Sequence, residues 1–385
     1  MKPVHILLID PIAYCGGSKI ATNHMLDGLD ESISRITIVT NDPGSWPAGS
    51  STRSPLFNPR FLARKEQGIW YFLRHSLIAM SIFWARLRYG RIDVALGASG
   101  PGVDLSMYMV KKLLGYKVVQ LIHGPVASSR TIGRALLIAD RVYYLDSSLA
   151  SLTRAITSFR PEVAVSDILS SGRFSAFSNG LPATSWPTES IATMPQIFWA
   201  ASLLKWKGLA TLLESLRNLT SENRPQTQIC FIRPKTTNME IGPGPENIEG
   251  VTWHENPACL DRIRSECSIF VSTSKNEPFG LSILESMAAG LAIIIPRDGA
   301  YWDLRLNEKS DCLKYAAEDP VDLALKIQYL QQNPDAMFKL GRRAKEIAQQ
   351  YRADRVYAEI LQDLTSPGSV LPDARPGGHC ELDNV

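Results

Sequence analysis

Short apolar segments alternate along the chain with segments in which apolar residues recur at helical spacing. Residues 4–10 carry almost no polar alternation, which is typical of a parallel strand covered on both faces. Other apolar segments of strand length lie at residues 35–40, 92–96, 116–122, 196–200, 228–232, 268–273 and 292–296. Helical spacing occurs between them, for example at 20–29 and 209–216. The pattern predicts an α/β protein with a parallel sheet in each half of the chain.

The length of the chain and a segment rich in turn-forming residues divide it into two domains. A chain of 385 residues is too long for one ordinary core. We predict a first domain at 1–180, a linker with three prolines at 181–195, and a second domain at 196–350. A further helix is predicted at 351–364. Residues 365–385, rich in Pro, Gly and Asp, are expected to be disordered.

Composition and charge narrow the class of protein. The content of 45% hydrophobic and 21% charged residues is that of a soluble globular protein, and neither a bilayer-spanning segment nor a signal-peptide pattern is evident. Six scattered cysteines indicate free thiols in the cytoplasm rather than disulfides or a zinc site. Residues 1–190 contain 20 Lys and Arg against 13 Asp and Glu, whereas the rest contains 21 against 25. This distribution argues against a nucleic-acid surface and is compatible with one domain facing an anionic partner.

Residues 60–91 combine aromatic and basic side chains. The aromatic residues include Trp70, Tyr71, Phe72, Phe83 and Trp84. Residues 53–91 hold eight basic residues and one acidic residue, and a preceding stretch rich in Pro, Gly and Ser at 42–59 predicts a loop. One interpretation of the segment is a domain helix whose aromatic side chains fill the core. The other is a helix that contacts an anionic membrane surface.

A strand-to-helix junction in the second half carries the densest candidate chemistry. The apolar strand at 268–273 is followed by a turn with Pro278 and Gly280, and then by apolar residues at helical spacing. The helix N-terminus would offer a phosphate the backbone amides of Phe279, Gly280, Leu281 and Ser282. Glu277 lies before this N-terminus and Glu285 about one turn inside the helix. The two carboxylates would flank the phosphate; alternatively, they are ordinary solvated and capping side chains.

Residues 274–290 closely resemble the E-x7-E signature of the family-four retaining glycosyltransferases, the glycosyl transferases group 1. That signature runs roughly S-x-x-E-x-F-G-x3-L-E-A-M-A-x-G, and Ser286 stands here in place of its usual alanine. A segment at 139–142 is similar to a further motif of the family. The resemblance covers residues 4–364 and implies the GT-B fold, in which two Rossmann-like, doubly wound domains face each other across a cleft. It also implies that the helix at 351–364 crosses back to the first domain.

The resemblance assigns roles to residues of the second domain. It implies that Glu285 binds the ribose hydroxyls of a nucleotide-sugar donor and that Glu277 holds the sugar hydroxyls. Lys207, together with the helix amides, would bind the donor diphosphate. Where the family has a second cation, an arginine, this chain has Ser202, and Lys205 could supply the charge instead. Both lysines are alternatively part of the solvated surface.

Two features of the first domain acquire a role from the same resemblance. Gly16 and Gly17 lie between the first strand and the first helix, where glycine lets the backbone approach a ligand closely, although a simple tight turn is the alternative. In the family a similar Gly-Gly loop lies at the cleft, near the donor phosphates and the acceptor. His123 follows a strand, where ligands collect in open α/β sheets, and resembles the family's active-site histidine. It would contact the donor sugar or its developing positive charge; the alternative is a structural histidine.

The resemblance implies a retaining glycosyltransferase that moves a sugar from a nucleotide-sugar donor to a glycan or lipid-linked acceptor. The resemblance and the basic first domain together suggest bacterial surface polysaccharide or lipopolysaccharide synthesis as the setting. Because no Asp-x-Asp pair occurs in the sequence, neither a metal nor another cofactor is expected. The expected location is cytoplasmic, peripheral on the inner membrane face, with no nucleic-acid partner. Two alternatives are a nucleotide-sugar epimerase on the same fold and a non-catalytic nucleotide-sugar-binding subunit of a polysaccharide assembly complex. The serine at position 202 supports the second alternative.

Overall fold

A computed structural model describes residues 2–13, 16–46, 51–59, 61–63, 67–234 and 239–366 of the chain. This part of the chain folds into two parallel β-sheets, each covered by helices on both faces. The architecture confirms the α/β class and the two doubly wound domains that the alternation of apolar and helical segments predicts.

The first domain contains a seven-stranded sheet. Its strands are β1 (Val4–Asp10), β2 (Ser34–Thr40), β3 (Thr52–Pro55), β4 (Val94–Gly97), β5 (Lys117–Ile122), β6 (Arg141–Leu145) and β7 (Phe174–Phe177). Their order across the sheet is β3-β2-β1-β4-β5-β6-β7, and all neighbours are parallel. The helices of this domain are α1 (Gly17–Leu26), α2 (Gly68–Tyr89), α3 (Leu105–Leu114), α4 (Arg130–Ile138), α5 (Leu149–Phe159) and α6 (Val165–Leu169).

The second domain contains a six-stranded parallel sheet. Its strands are β8 (Gln196–Ser202), β9 (Gln226–Ile232), β10 (Val251–Glu255), β11 (Ile269–Val271), β12 (Ala292–Arg297) and β13 (Leu313–Ala316). Their order is β10-β9-β8-β11-β12-β13. The helices that follow are α7 (Leu209–Arg217), α8 (Leu260–Ser265), α9 (Leu281–Ala288), α10 (Tyr301–Arg305), α11 (Pro320–Gln332), α12 (Pro334–Ala348), α13 (Ala353–Val356) and α14 (Ala358–Thr365).

Each sheet has one position where the strand order reverses, and that position locates a crevice. In the first sheet β1 lies beside β4, and in the second sheet β8 lies beside β11. Loops that leave the carboxyl ends of such strands diverge to opposite faces and open a ligand-binding crevice. The loops at these four strand ends contain Gly16, Ser99, Lys207 and Glu277, respectively. The topology therefore directs most of the predicted site residues to the two crevices.

The segment at 42–59 differs from the predicted loop, because it contains the edge strand β3. Strand β3 pairs in parallel with β2 along Thr52 to Pro55. Its sequence, TRSP, shows no apolar alternation, and a proline is tolerated here because an edge strand leaves one row of amides unpaired. Residues 47–50 and 60 lie outside the described residues.

The final helical segment packs on the first domain, although it follows the second domain in sequence. Arg141 on β6 forms ion pairs with Asp363 and with Glu359, the latter at 2.7 Å. The Tyr143 hydroxyl donates to the Asp363 carboxylate at 2.6 Å. The segment is interrupted at Tyr357, between α13 and α14, and the buried Tyr357 side chain donates its hydroxyl to the Ala21 carbonyl of α1 at 3.3 Å. Residues 367–385, most of the predicted tail, lie outside the described part of the chain.

Candidate functional site

Two loops of the second domain are joined side by side at its crevice. The Thr273 hydroxyl donates to the Lys207 carbonyl at 2.8 Å, and the Lys275 amide donates to the Trp206 carbonyl at 2.9 Å. Gly208 lies between them with a φ of +68°, and a Cβ at this position would come within 2.0 Å of the Thr273 carbonyl oxygen. Only glycine satisfies both the left-handed backbone and the close approach. The loop after β8 is therefore held against the loop after β11.

This junction brings Lys207 and Glu277 into direct contact. The Lys207 ammonium forms an ion pair with the Glu277 carboxylate, and the two side chains are only 16% and 15% exposed. The ammonium also lies 4.0 Å from the centre of the Trp206 ring, where the aromatic face favours a cation. Lys207, which was predicted to bind the diphosphate, and Glu277, which was predicted to bind the sugar, are therefore in direct contact. The Trp206 contact was not predicted, because only the tertiary fold shows it.

The N-terminus of α9 lies beside this ion pair. Gly280 begins the helix with a φ of +84°, and a Cβ there would come within 3.1 Å of Glu277 Cγ. Among the described residues, no side chain caps this N-terminus. The amides of Leu281 and Ser282 precede the first intrahelical hydrogen bond of the helix, and both residues are partly exposed. These donors are therefore placed to bind an anion next to Lys207.

The side chain of Phe279 fixes the start of α9. Its ring is 3% exposed and lies 4.6 Å from the ring of Tyr301, 5.4 Å from that of Trp302 and 6.1 Å from that of Tyr351. This cluster joins α9 to α10 and to the segment that returns to the first domain. Phe279 consequently contributes its backbone and its packing to the site, while its side chain is buried away from the crevice.

Glu285 is oriented by an arginine that the sequence analysis did not identify. The carboxylate accepts a hydrogen bond of 2.8 Å from Arg264, which also binds Asp261 at 2.7 Å. The Arg264 side chain is only 6% exposed, so its charge requires these partners. Glu285 itself is partly exposed. It therefore combines a fixed orientation with access to a ligand.

His123 lies in the first domain, directly after β5. Its Nε2 lies 3.3 Å from the Thr22 hydroxyl, and its ring packs edge-to-face on Phe177. Burial lowers the pKa of His123 to about 4, against a smaller raising contribution from the Asn179 side chain. The side chain nevertheless remains partly exposed. His123 is therefore a neutral hydrogen-bonding group near neutral pH.

The segments around His123 and Glu277 meet across the domain boundary. A Cβ on Gly124 would lie 3.8 Å from Pro278 Cγ, and the Ser147 hydroxyl donates to the Pro278 carbonyl at 2.8 Å. Arg305 of α10 also forms an ion pair with Asp146. These contacts place the histidine loop directly beside the acidic loop at the boundary between the two domains.

The Gly16–Gly17 pair lines the crevice of the first domain. Gly16 is the residue before α1, and it lines a small cavity together with Asp10, Lys19 and Ser99. A Cβ on Gly17 would meet no atom of the described residues within 4 Å. The buried Lys19 forms an ion pair with Asp10 at 2.8 Å, which offsets its charge within the protein. Lys19 was another residue that the sequence analysis did not single out.

The structure does not bring Lys205 to this site. Its side chain is 67% exposed and forms an ion pair with Glu240 at 2.7 Å. Residues 205–207 form a single 3₁₀ turn, in which residues two positions apart point in directions about 120° apart. Lys205 therefore points away from the Lys207–Glu277 pair. In the described residues, no group of three or more His, Cys, Asp or Glu side chains is arranged to hold a metal ion.

Comparison with known proteins finds a family match in the second half of the chain. Residues 185–350 match the family model of the glycosyl transferases group 1. A probable sucrose-phosphate synthase of Thermosipho melanesiensis is 33% identical over 106 residues, which are 27% of this chain. The match spans about a quarter, 24%, of that protein's length.

Comparison with solved structures shows that the described part of the chain has the GT-B fold. HepE of Anabaena in complex with UDP-glucose superimposes with a TM-score of 0.70 at 15% identity, over 94% of this chain and 99% of that chain. The lipopolysaccharide outer core galactosyltransferase WaaB superimposes with a TM-score of 0.62 at 12% identity, over 94% and 99% of the two chains. At these identities the likeness extends to the fold alone.

The close approach at Gly208 predicts a specific sensitivity to substitution. Gly208→Ala should lower the free energy of unfolding by about 2–4 kcal/mol, because it adds both left-handed strain and a clash with Thr273. Gly250→Ala is the matched control, because Gly250 also has a positive φ but an added Cβ there would meet no protein atom within 3.4 Å. Chemical denaturation of both variants measures the difference. Equal losses in the two variants would show that the loop contact contributes little.

The lowered pKa of His123 predicts a pH-dependent contribution to stability. The unfolded chain binds a proton at this residue below about pH 6.5, whereas the folded chain does so only near pH 4, so acid favours unfolding within that window. The stability advantage of the wild type over His123→Asn should therefore shrink by about 1–3 kcal/mol between about pH 7 and pH 4.5. Thermal denaturation across this range measures it. A constant or growing advantage would exclude the neutral, buried histidine.

Proposed function

We propose that this chain is a glycosyltransferase that moves a sugar from a nucleotide-diphosphate donor to a glycan or lipid-linked acceptor, with retention of the anomeric configuration. The observation that carries the proposal is the Lys207–Glu277 pair at the start of α9, in a loop that contacts the segments around His123 at the domain boundary. The family match in the second half of the chain supports it. Because HepE structures contain UDP and UDP-glucose, a uridine donor is the first to test.

Donor binding would proceed as an exchange of partners. Without a donor, Lys207 neutralises Glu277. A diphosphate would attract the lysine and would also accept hydrogen bonds from the amides of Leu281 and Ser282. The released Glu277 carboxylate would then accept hydrogen bonds from the sugar hydroxyls. Glu285, held by Arg264, would accept those of the ribose.

The chemical step requires that the enzyme stabilise a leaving diphosphate. A bond forms between the acceptor oxygen and the anomeric carbon, and the bond from that carbon to the phosphate oxygen breaks. The acceptor's proton passes to the leaving phosphate on the same face of the sugar. Lys207 and the helix amides would stabilise the charge that develops on this phosphate. Neutral His123 would hold a sugar hydroxyl by a hydrogen bond rather than act as a cation.

We further propose that the reaction needs neither a divalent metal nor another cofactor. The sequence contains no Asp-x-Asp pair to hold a cation against a diphosphate. The charge-neutralising groups beside α9 are instead a lysine and main-chain donors. Addition of a chelator should then leave transfer unchanged.

A lipid-linked acceptor in bacterial surface polysaccharide synthesis, used at the inner membrane face, completes the proposal. WaaB, one of the proteins with this fold, is a lipopolysaccharide galactosyltransferase.

A non-catalytic binding subunit is the second candidate, and the outward orientation of Lys205 favours it, because the site then has fewer cations for a diphosphate. Nucleotide binding without any sugar transfer would support that candidate. Donor consumption without an acceptor would instead indicate an epimerase.

Substitution of the paired residues tests the proposed site. Lys207→Ala and Glu277→Ala should each lower transfer by about two to three orders of magnitude, because each removes charge stabilisation of the kind found in oxyanion holes. Lys205→Ala is the matched control and should retain transfer within about twofold, since its side chain binds Glu240 at the surface. The donor for the assay is the nucleotide sugar that gives the largest thermal shift when it binds the protein. The assay then measures how much radiolabelled sugar passes from this donor to extracted lipid. Near-normal transfer by both site variants would refute the assignment.

A further inference from the structure

Helix α2 presents a broad apolar surface to solvent. Eight of its large apolar side chains are between 37% and 81% exposed, namely Ile69, Trp70, Phe72, Leu73, Met80, Phe83, Trp84 and Leu87. We name these eight residues the outer face of α2. The opposite side of the helix is also apolar, since Ile78, Ile82 and Ala85 are buried in the core. Four of the five aromatic side chains, Trp70, Phe72, Phe83 and Trp84, therefore lie outside the core, contrary to the interpretation in which they fill it, and Tyr71 is partly buried.

The apolar surface continues onto the neighbouring helix α3. Met109 and Leu113 of α3 are 45% and 75% exposed. The inner sides of both helices contribute to one core cluster on the same face of the sheet, so their outer sides form adjacent parts of one surface. Contiguous exposed apolar patches of this kind mark interaction sites in soluble proteins.

The charges of this surface indicate which partner it fits. Helices α2 and α3 contain no Asp or Glu, whereas Arg88 and Lys112 are exposed. Tryptophan, phenylalanine and leucine beside basic residues are the composition of helices that lie in the interface of an anionic bilayer. A second copy of the same surface would place basic residues opposite basic residues, which opposes self-association. No described helix is long and apolar enough to span a membrane.

The position of α2 relates this surface to the candidate site. The Tyr71 hydroxyl, at the first turn of α2, donates to the Gly102 carbonyl at 2.6 Å. Gly102 belongs to the loop after β4, and Ser99 of the same loop lines the cavity beside Gly16. The aromatic end of α2 therefore lies at the same edge of the first sheet as the site crevice.

We propose that the outer face of α2, together with Met109 and Leu113, docks this protein on the surface of an anionic lipid bilayer. The apolar side chains enter the level of the lipid headgroups, and Arg88 and Lys112 contact the lipid phosphates. The bilayer then lies alongside the crevice that contains Gly16. This inference rests on the proposed function only for the identity of the acceptor, which such docking brings to the cleft by its lipid anchor.

Vesicle flotation of the full-length protein tests the docking surface. Wild type should bind vesicles of phosphatidylcholine with about a quarter phosphatidylglycerol, bind pure phosphatidylcholine weakly, and lose affinity at high salt. The double variant Trp84→Ser, Leu87→Gln should bind anionic vesicles at least about tenfold more weakly, because it removes two inserted side chains. Val321→Ser, Leu325→Gln is the matched control, since both residues are 58% exposed on α11 of the second domain. This control should bind as wild type does.

Several results would overturn the proposal. These are absence of wild-type binding to anionic vesicles, equal binding to uncharged vesicles, and an equal loss in the α11 control. A wild-type dimer in light scattering that the α2 variant converts to a monomer would instead identify a protein interface. Calorimetric titration of the donor into the same samples separates the two proposals. Retained donor binding without vesicle binding removes only the docking surface, whereas absent donor binding removes the proposed function.

Discussion

The close approach of two loops at Gly208 and Thr273 determines where the charges of the second domain lie. Without a side chain at position 208, the loop after β8 packs against the loop after β11, and two backbone-anchored hydrogen bonds hold the contact. This contact sets Lys207 beside Glu277 and next to the first turn of α9. The proposed donor site depends on this steric constraint, because a displaced loop would separate the cation from the helix amides.

Charges in both crevices are balanced within the protein before any ligand arrives. Lys207 is paired with Glu277, Arg264 with Glu285, and Lys19 with Asp10. Desolvation makes an isolated buried charge costly, so each cation is stable here only with its carboxylate. A ligand that binds such a site would have to displace the carboxylate partner of the cation, because each of these cations is already paired. A diphosphate can compete for a lysine because it carries more negative charge than one carboxylate, and the helix amides add to its binding.

The sequence predicted those features that local pattern encodes. Apolar segments without polar alternation identified the central strands, and the Glu277-to-Glu285 motif located a junction at the reversal of strand order. Strand β3 escaped prediction because an edge strand needs no apolar alternation. The direction of Lys205 depends on a 3₁₀ turn, and the partner of Glu285 lies 21 positions away in α8. Such contacts depend on tertiary packing, which local patterns do not encode. The exposure of the outer face of α2 was unpredictable for the same reason, because periodicity shows that both sides of the helix are apolar but not which side is covered.

The most direct test of the partner exchange is calorimetric titration of a nucleoside diphosphate that lacks the sugar, with UDP as the first choice. Lys207→Ala should weaken its binding by about tenfold or more, because a charge-assisted hydrogen bond is lost. Glu277→Gln should bind it at least as tightly as the wild type, since the lysine no longer has a competing carboxylate. A loss of affinity in Glu277→Gln as large as that in Lys207→Ala would contradict the account.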